Sequence, residues 1–99
     1  IAVQRALRKL GADIRDARLR RGLPADVVAS RALTSRATIA RIEKGDAGVG
    51  MGIYAAALLA LGLLDRLAEV ADPRMDEVGM ALSLQALPKR ARLPKKAPS

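Results

Sequence analysis

The chain of 99 residues carries 18 Lys and Arg against 10 Asp and Glu, a formal charge of +8 with a pI near 11.1, and has room for one small domain. It contains no His and no Cys, which removes the commonest catalytic base, any thiol nucleophile, any disulfide framework and any Cys/His zinc site. Tyr54 is the only aromatic residue, which argues against RNA modules that stack bases on aromatic rings. The charge is uneven: residues 1–48 carry a net +6, 49–87 a net −3 and 88–99 a net +5. That pattern predicts one anion-binding face, one apolar body and one basic appendage.

In chain order, Val3, Leu7, Leu10, Ile14 and Ala17 step by four, three, four and three, a single apolar stripe along a helix. Arg5, Arg8, Lys9, Arg15, Arg18, Arg20 and Arg21 fill the other side, and Gly22 supplies a C-terminal stop. Gly11 is a candidate start for the core part of this helix, with the first ten residues as an extension. Pro24 suits a first helical turn, so Ala25 to Arg31 is predicted as a short helix burying Val28, Ala29 and Ala32. Ser35 is a good N-cap, and the helix it opens is predicted over Arg36–Lys44, with Ile39 and Ile42 inward and Gly45 as the stop. Two helices of this length joined by a few residues describe a helix-turn-helix.

Beyond the Gly45–Gly52 loop, Ile53 to Leu61 is apolar nearly all round and is predicted as a buried helix. Leu63, Leu64, Leu67, Val70 and Ala71 make another, ended by Pro73, and Asp76 to Leu87 the last. The stretch between Asp46 and Asp65 has 18 uncharged residues, the lower limit for a membrane span. Its glycine-rich opening, the break at Gly62 and the charges Asp65, Arg66 and Glu69 favour a core helix instead. No signal-peptide pattern is seen at the start of the sequence, so a cytoplasmic, nucleoid-associated prokaryotic protein with no membrane contact is expected. Residues 88–99, PKRARLPKKAPS, hold three prolines and five positive charges and are expected to form a flexible tail. The expected fold class is all-α: a compact bundle of five to six short helices, one domain over 1–87, with the tail at 88–99.

If Ile39 and Ile42 face the core, Arg36, Ala37, Ala40 and Arg41 face outward. A recognition helix needs that arrangement to enter a major groove about 12 Å wide. Arg36 and Arg41 are each able to contact guanine O6 and N7 in bidentate fashion, and Ala37 and Thr38 are small enough to meet a thymine methyl. Lys44, Arg20 and Arg21 are candidate phosphate contacts, with ordinary solvated charge as the alternative for the two arginines. Thr34, Ser35, Arg36, Ala37, Thr38, Arg41, Lys44 and Arg21 therefore make up the candidate DNA-binding set.

From residue 25 the chain reads ADVVASRALTSRATIARIEKG. This resembles the Cro and phage-repressor class of helix-turn-helix proteins, the XRE family, with Ala29, Ser35, Ile39, Glu43 and Gly45 in register. Upstream, RDARLRRGL matches the family's first helix, with Arg18 four residues before Gly22; the resemblance spans roughly residues 10–70. It departs at Leu33, where Gly is frequent, at Thr34, where an apolar residue is usual, and at Ala25, where Gln is frequent. The resemblance implies a partly buried ion pair between Arg18 and Glu43; a solvent-exposed pair of Glu43 with a nearby lysine is the alternative. Gly45-Asp46-Ala47-Gly48-Val49, Gly52-Ile53-Tyr54 and Leu87-Pro88-Lys89-Arg90 are similar to the HipB-like antitoxins, which are encoded beside HipA-type kinase toxins. Tyr54 is expected in the core, with a binding role as the alternative.

The resemblance implies a homodimeric, sequence-specific repressor of its own operon that binds a palindromic double-stranded operator and has a HipA-like kinase toxin as partner. A stand-alone regulator, or a module whose main task is toxin neutralisation, is the alternative. An enzyme is disfavoured, since no acid/base pair or phosphate-cradling loop stands out. No cofactor and no metal are expected. A membrane-surface or non-specific RNA binder is motivated mainly by the tail.

Overall fold

A computed structural model describes residues 1–86, so the expected tail lies outside the described residues. Among the described residues all regular structure is helical: α1 (Ala2–Arg20), α2 (Ala25–Arg31), α3 (Arg36–Glu43), α4 (Met51–Ala60), α5 (Leu64–Ala68), a 3₁₀ turn (Pro73–Met75) and α6 (Glu77–Gln85). No helix among them is long and apolar enough to cross a membrane. The chain packs as two units, Ile1–Leu67 and a second from Ala68 onward.

In the first unit α3 packs against both α1 and α2, and α2 packs against α4. The core takes Ile14 and Ala17 from α1, Val28 and Ala29 from α2, Ile39 and Ile42 from α3, and Tyr54, Ala57 and Leu58 from α4. Ala32 is buried as well. Ile39 and Ile42 are fully buried, each contributing about 1.5–3 kcal/mol from water exclusion. They sit three apart on α3, so one face of that helix is anchored and the other is free.

One device ends four of the helices. The N–H of the residue two past the last turn returns to a carbonyl five residues back: Leu23 to Arg18 at 3.1 Å, Thr34 to Ala29 at 2.9 Å, Asp46 to Arg41 at 3.0 Å and Leu63 to Leu58 at 2.8 Å. This closure needs a left-handed residue in between. Glycine fills that place at Gly22, Gly45 and Gly62, but Leu33 fills it at the α2–α3 turn with φ +56°. Leu33 is 94% exposed, so its side chain clashes with nothing while its backbone pays for the conformation. The turn keeps the shape a glycine would give it.

Several elements differ from the sequence expectation. Helix α1 runs unbroken through Gly11, which is buried because the backbone of the α3 terminus crosses it. A Cβ on Gly11 would lie 2.7 Å from Gly45 N and closer still to Ile42 O. Val3 belongs to the apolar stripe by spacing yet is exposed, since burial on α1 begins only near Leu7 and Leu10. Pro24 is the N-cap of α2 and not a residue of its first turn, and Lys44 caps α3 instead of ending it. Helix α4 buries one face through Tyr54, Ala57 and Leu58, while Met51 and Leu59 are exposed. Its main partner is α2, and one partner covers one face.

The predicted helix over residues 63–71 stops at Ala68; Val70 is exposed, and an apolar residue without a neighbour gives a short helix no reason to continue. In the second unit Asp72 caps the 3₁₀ turn by accepting from the Arg74 N–H at 2.8 Å. Asp76 caps α6 through the Gly79 N–H at 2.9 Å, and α6 packs against the 3₁₀ turn. Val78, Leu82 and Leu84 of α6 are all exposed.

Candidate nucleic-acid interface

The site is built on α3. Ser35 enters in extended conformation, and its Oγ accepts from the Thr38 N–H at 3.1 Å, an N-cap bond. The Ser35 hydroxyl also donates to Thr38 Oγ1 at 3.0 Å. Both hydroxyls are thereby engaged within the helix start, and Thr34 and Thr38 are half-buried. Arg36, Ala37, Ala40 and Arg41 are exposed on the face opposite Ile39 and Ile42, with Lys44 exposed just beyond. The outer surface of α3 thus combines two arginines with small residues between them.

Behind that face Arg18 of α1 holds Glu43 of α3. Arg18 Nε donates to Glu43 Oε2 at 2.7 Å and Nη2 to Oε1 at 3.0 Å, a two-pronged pair. The side chains are only 12% and 8% exposed. Arg18 Nη1 also donates to the Leu23 carbonyl at 3.0 Å, so a single guanidinium ties α1, the α1–α2 turn and α3 together. The hydrogen bond to Glu43 is the main reason the Arg18 pKa lies above its ordinary value. Arg15, largely exposed, reaches Glu43 Oε1 only at 4.0 Å.

The remaining candidates are placed differently. Arg21 turns back on α1, with Nη1 donating to the Ala17 carbonyl at 2.9 Å, and Arg20 is exposed beside it. Arg41 does not extend freely: its Nε donates to Asp46 Oδ2 at 2.8 Å. The Arg41 hydrogen bond, aided by the Gly48 N–H on Oδ1 at 2.7 Å, holds the Asp46 carboxyl below its ordinary pKa, and the same pairing raises Arg41. Tyr54 is a core residue whose hydroxyl donates to the Asp46 carbonyl at 2.8 Å. Burial raises its pKa.

Asp46 is the residue that sequence reasoning missed. It lies five positions beyond Arg41, too far for a pair on one continuous helix. The left-handed Gly45 between them reverses the chain and brings the two together, so a Gly-Asp step after a helix-ending arginine was the available signal.

A short helix capped by Ser35, backed by a second helix across a tight turn and presenting an arginine-bearing face, is a helix-turn-helix. A family model for a helix-turn-helix domain matches residues 9–71, well over half the chain, and the chain belongs to that DNA-binding family. No curated protein and no solved structure gives a match.

Proposed function

We propose that the chain is a sequence-specific transcriptional repressor that lays α3 in the major groove of double-stranded DNA. The observation that carries this reading is the two-sidedness of α3: Ile39 and Ile42 are fully buried while Arg36, Ala37, Ala40 and Arg41 stay exposed. Arg36 and Arg41 are the base-reading residues, each with a guanidinium suited to a guanine edge. Ala37 and the Thr38 methyl approach thymine. Lys44 and Arg20 contact phosphate, and Ser35 and Thr34 fix the helix start against the backbone. Arg21 adds charge there, with part of its guanidinium committed to Ala17.

The reading extends to a homodimer on a palindromic operator. A single module of this size buries about 600–1,000 Å² on DNA, too little for tight specific binding, and two half-sites one helical turn apart solve this. Support comes from apolar surface left uncovered: Met51 and Leu59 on α4, and Val78, Leu82 and Leu84 on α6. An apolar groove of about 260 Å³ lined by Leu7, Leu10, Val49, Met51 and Leu67, among others, adds to it. The similarity of the Gly45–Val49 loop and the Gly52-Ile53-Tyr54 segment to HipB-like antitoxins supports the further reading that the chain represses its own operon and neutralises a HipA-type kinase.

Fluorescence anisotropy tests the core of this reading. A duplex from the promoter upstream of the gene should bind far more tightly than an unrelated duplex, with log affinity falling steeply against log salt. Equal affinity for both duplexes would reject repression of its own operon, and failure to enrich any site from a randomised duplex pool would reject sequence-specific repression. Co-expression with the neighbouring gene product tests the antitoxin part: a stable complex supports it, and its absence leaves a stand-alone regulator.

A further inference from the structure

The second ion pair of the α3 region sits at the edge of the proposed DNA face and is held there by the core. Asp46 is fixed by five hydrogen bonds, one of them a 3.4 Å bond from the Val49 N–H to its carbonyl. Its N–H donates to the Arg41 carbonyl at 3.0 Å and its carbonyl accepts from the Tyr54 hydroxyl at 2.8 Å. Oδ1 accepts from the Gly48 N–H at 2.7 Å, and Oδ2 accepts from Arg41 Nε at 2.8 Å. Tyr54 is buried, so the core sets Asp46 and Asp46 in turn sets Arg41. Arg41 itself remains 51% exposed.

A guanidinium has five N–H donors in a fixed fork. Asp46 occupies the one on Nε and leaves both Nη groups for a further partner. A long exposed side chain normally loses much of its freedom when it binds, and ordering it beforehand lowers that cost. The same carboxylate also places a negative charge beside any approaching phosphate, which weakens contact with DNA of every sequence. Ordering Arg41 widens the gap between a correct and an incorrect site, whereas the repulsion lowers affinity for both alike.

We propose that Asp46 is a positioning residue for Arg41: the Arg41–Asp46 pair pre-orients the guanidinium toward a guanine edge, so that Asp46 sets base preference without touching DNA. This rests on the reading that α3 binds double-stranded DNA.

The full chain is first used to select its preferred site from a randomised duplex pool. Affinities are then measured for that site, for the same site with the guanine pair read by Arg41 replaced, and for an unrelated duplex. Asp46→Asn keeps an acceptor for the Gly48 N–H and removes the charge. It should lower the ratio between the first two affinities by about three- to tenfold, while binding to the unrelated duplex stays equal or tightens. Arg41→Ala should abolish the same preference, and adding Asp46→Asn to it should change the ratio no further. Asp46→Ser, whose hydroxyl also accepts from Gly48, is the second variant should Asp46→Asn fold poorly.

A change by the same factor on all three duplexes would overturn the proposal, as would an undiminished effect of Asp46→Asn in the Arg41→Ala background. A wild-type chain that enriches no sequence overturns the DNA-reading itself and the proposal with it. A wild-type preference that survives Asp46→Asn overturns only the role of Asp46.

Discussion

Removing Arg18 is the sharpest test of how α3 is held. In Arg18→Ala the Glu43 carboxylate, 8% exposed, loses bonds of 2.7 and 3.0 Å, and the Leu23 carbonyl loses its 3.0 Å donor. The nearest remaining cation is Arg15, at 4.0 Å and largely exposed, beyond hydrogen-bonding reach. Breaking a buried pair from one side costs about 3–5 kcal/mol, and the residual attraction to Arg15 places this case near about 3 kcal/mol. For a unit of this size that lowers Tm by about 12–24 °C. Far-UV circular dichroism during thermal and urea unfolding reads both numbers. The double variant Arg18→Met/Glu43→Leu should regain most of the loss, because apolar replacement of both partners removes the stranded charge. A loss below about 1 kcal/mol for Arg18→Ala, the range of an exposed pair, would refute the reasoning, and so would a double variant as unstable as the sum of the singles.

Three further outcomes follow from the geometry. Leu33→Gly should raise the unfolding free energy by about 0.5–1 kcal/mol, read as a higher urea midpoint at unchanged slope, since glycine adopts φ +56° freely and the strain relieved exceeds the added chain entropy; a lower midpoint would show that the turn is not strained. Gly11→Ala should destabilise by about 2–3 kcal/mol because its Cβ meets only backbone, including Glu43 O at 2.8 Å, whereas Gly52→Ala, with open space around it, should stabilise α4 by about 0.5–1 kcal/mol. Equal signs in calorimetry would contradict the contrast. The Asp46 and Asp72 carboxyls are held below 3.8 by their pairs with Arg41 and Arg74. Their contribution to stability is therefore complete only well above that value and is lost as pH falls through it toward the lowered folded-state values. Asp46→Asn/Asp72→Asn should show a shallower loss of stability below pH 4 than wild type in acid titration; an identical slope would remove both groups from the account.

Much of the fold is legible in the sequence where local chemistry and packing agree. Ser35 before Arg36, and Ile39 and Ile42 three apart, specify α3 through a cap and a stripe that the structure reproduces. Gly22 and Gly45 end helices for the reason glycine usually does. Gly11 reads in the sequence as a candidate start of the core helix, but its cause is long-range: the α3 terminus crosses α1 there, and no local pattern encodes a crossing. The apolar circumference of Ile53–Leu61 states how hydrophobic the helix is and not how many neighbours it has, so the exposure of Ile53 and Leu59 was hidden. The positions 63–71 have helical spacing, yet Val70 finds nothing to pack on, and spacing alone does not report that. At the candidate site the outward side of α3 is readable from its inward side. Asp46 is not, because a reversal at Gly45 brings it into contact with Arg41.

The central claim is that the exposed side of α3 is the surface that meets DNA. Titrating the ¹⁵N-labelled chain with its selected duplex and following amide shifts tests it directly. The largest changes should fall on Ser35–Lys44 and the preceding turn, and changes confined to α4 and α6 with α3 unaffected would contradict the account.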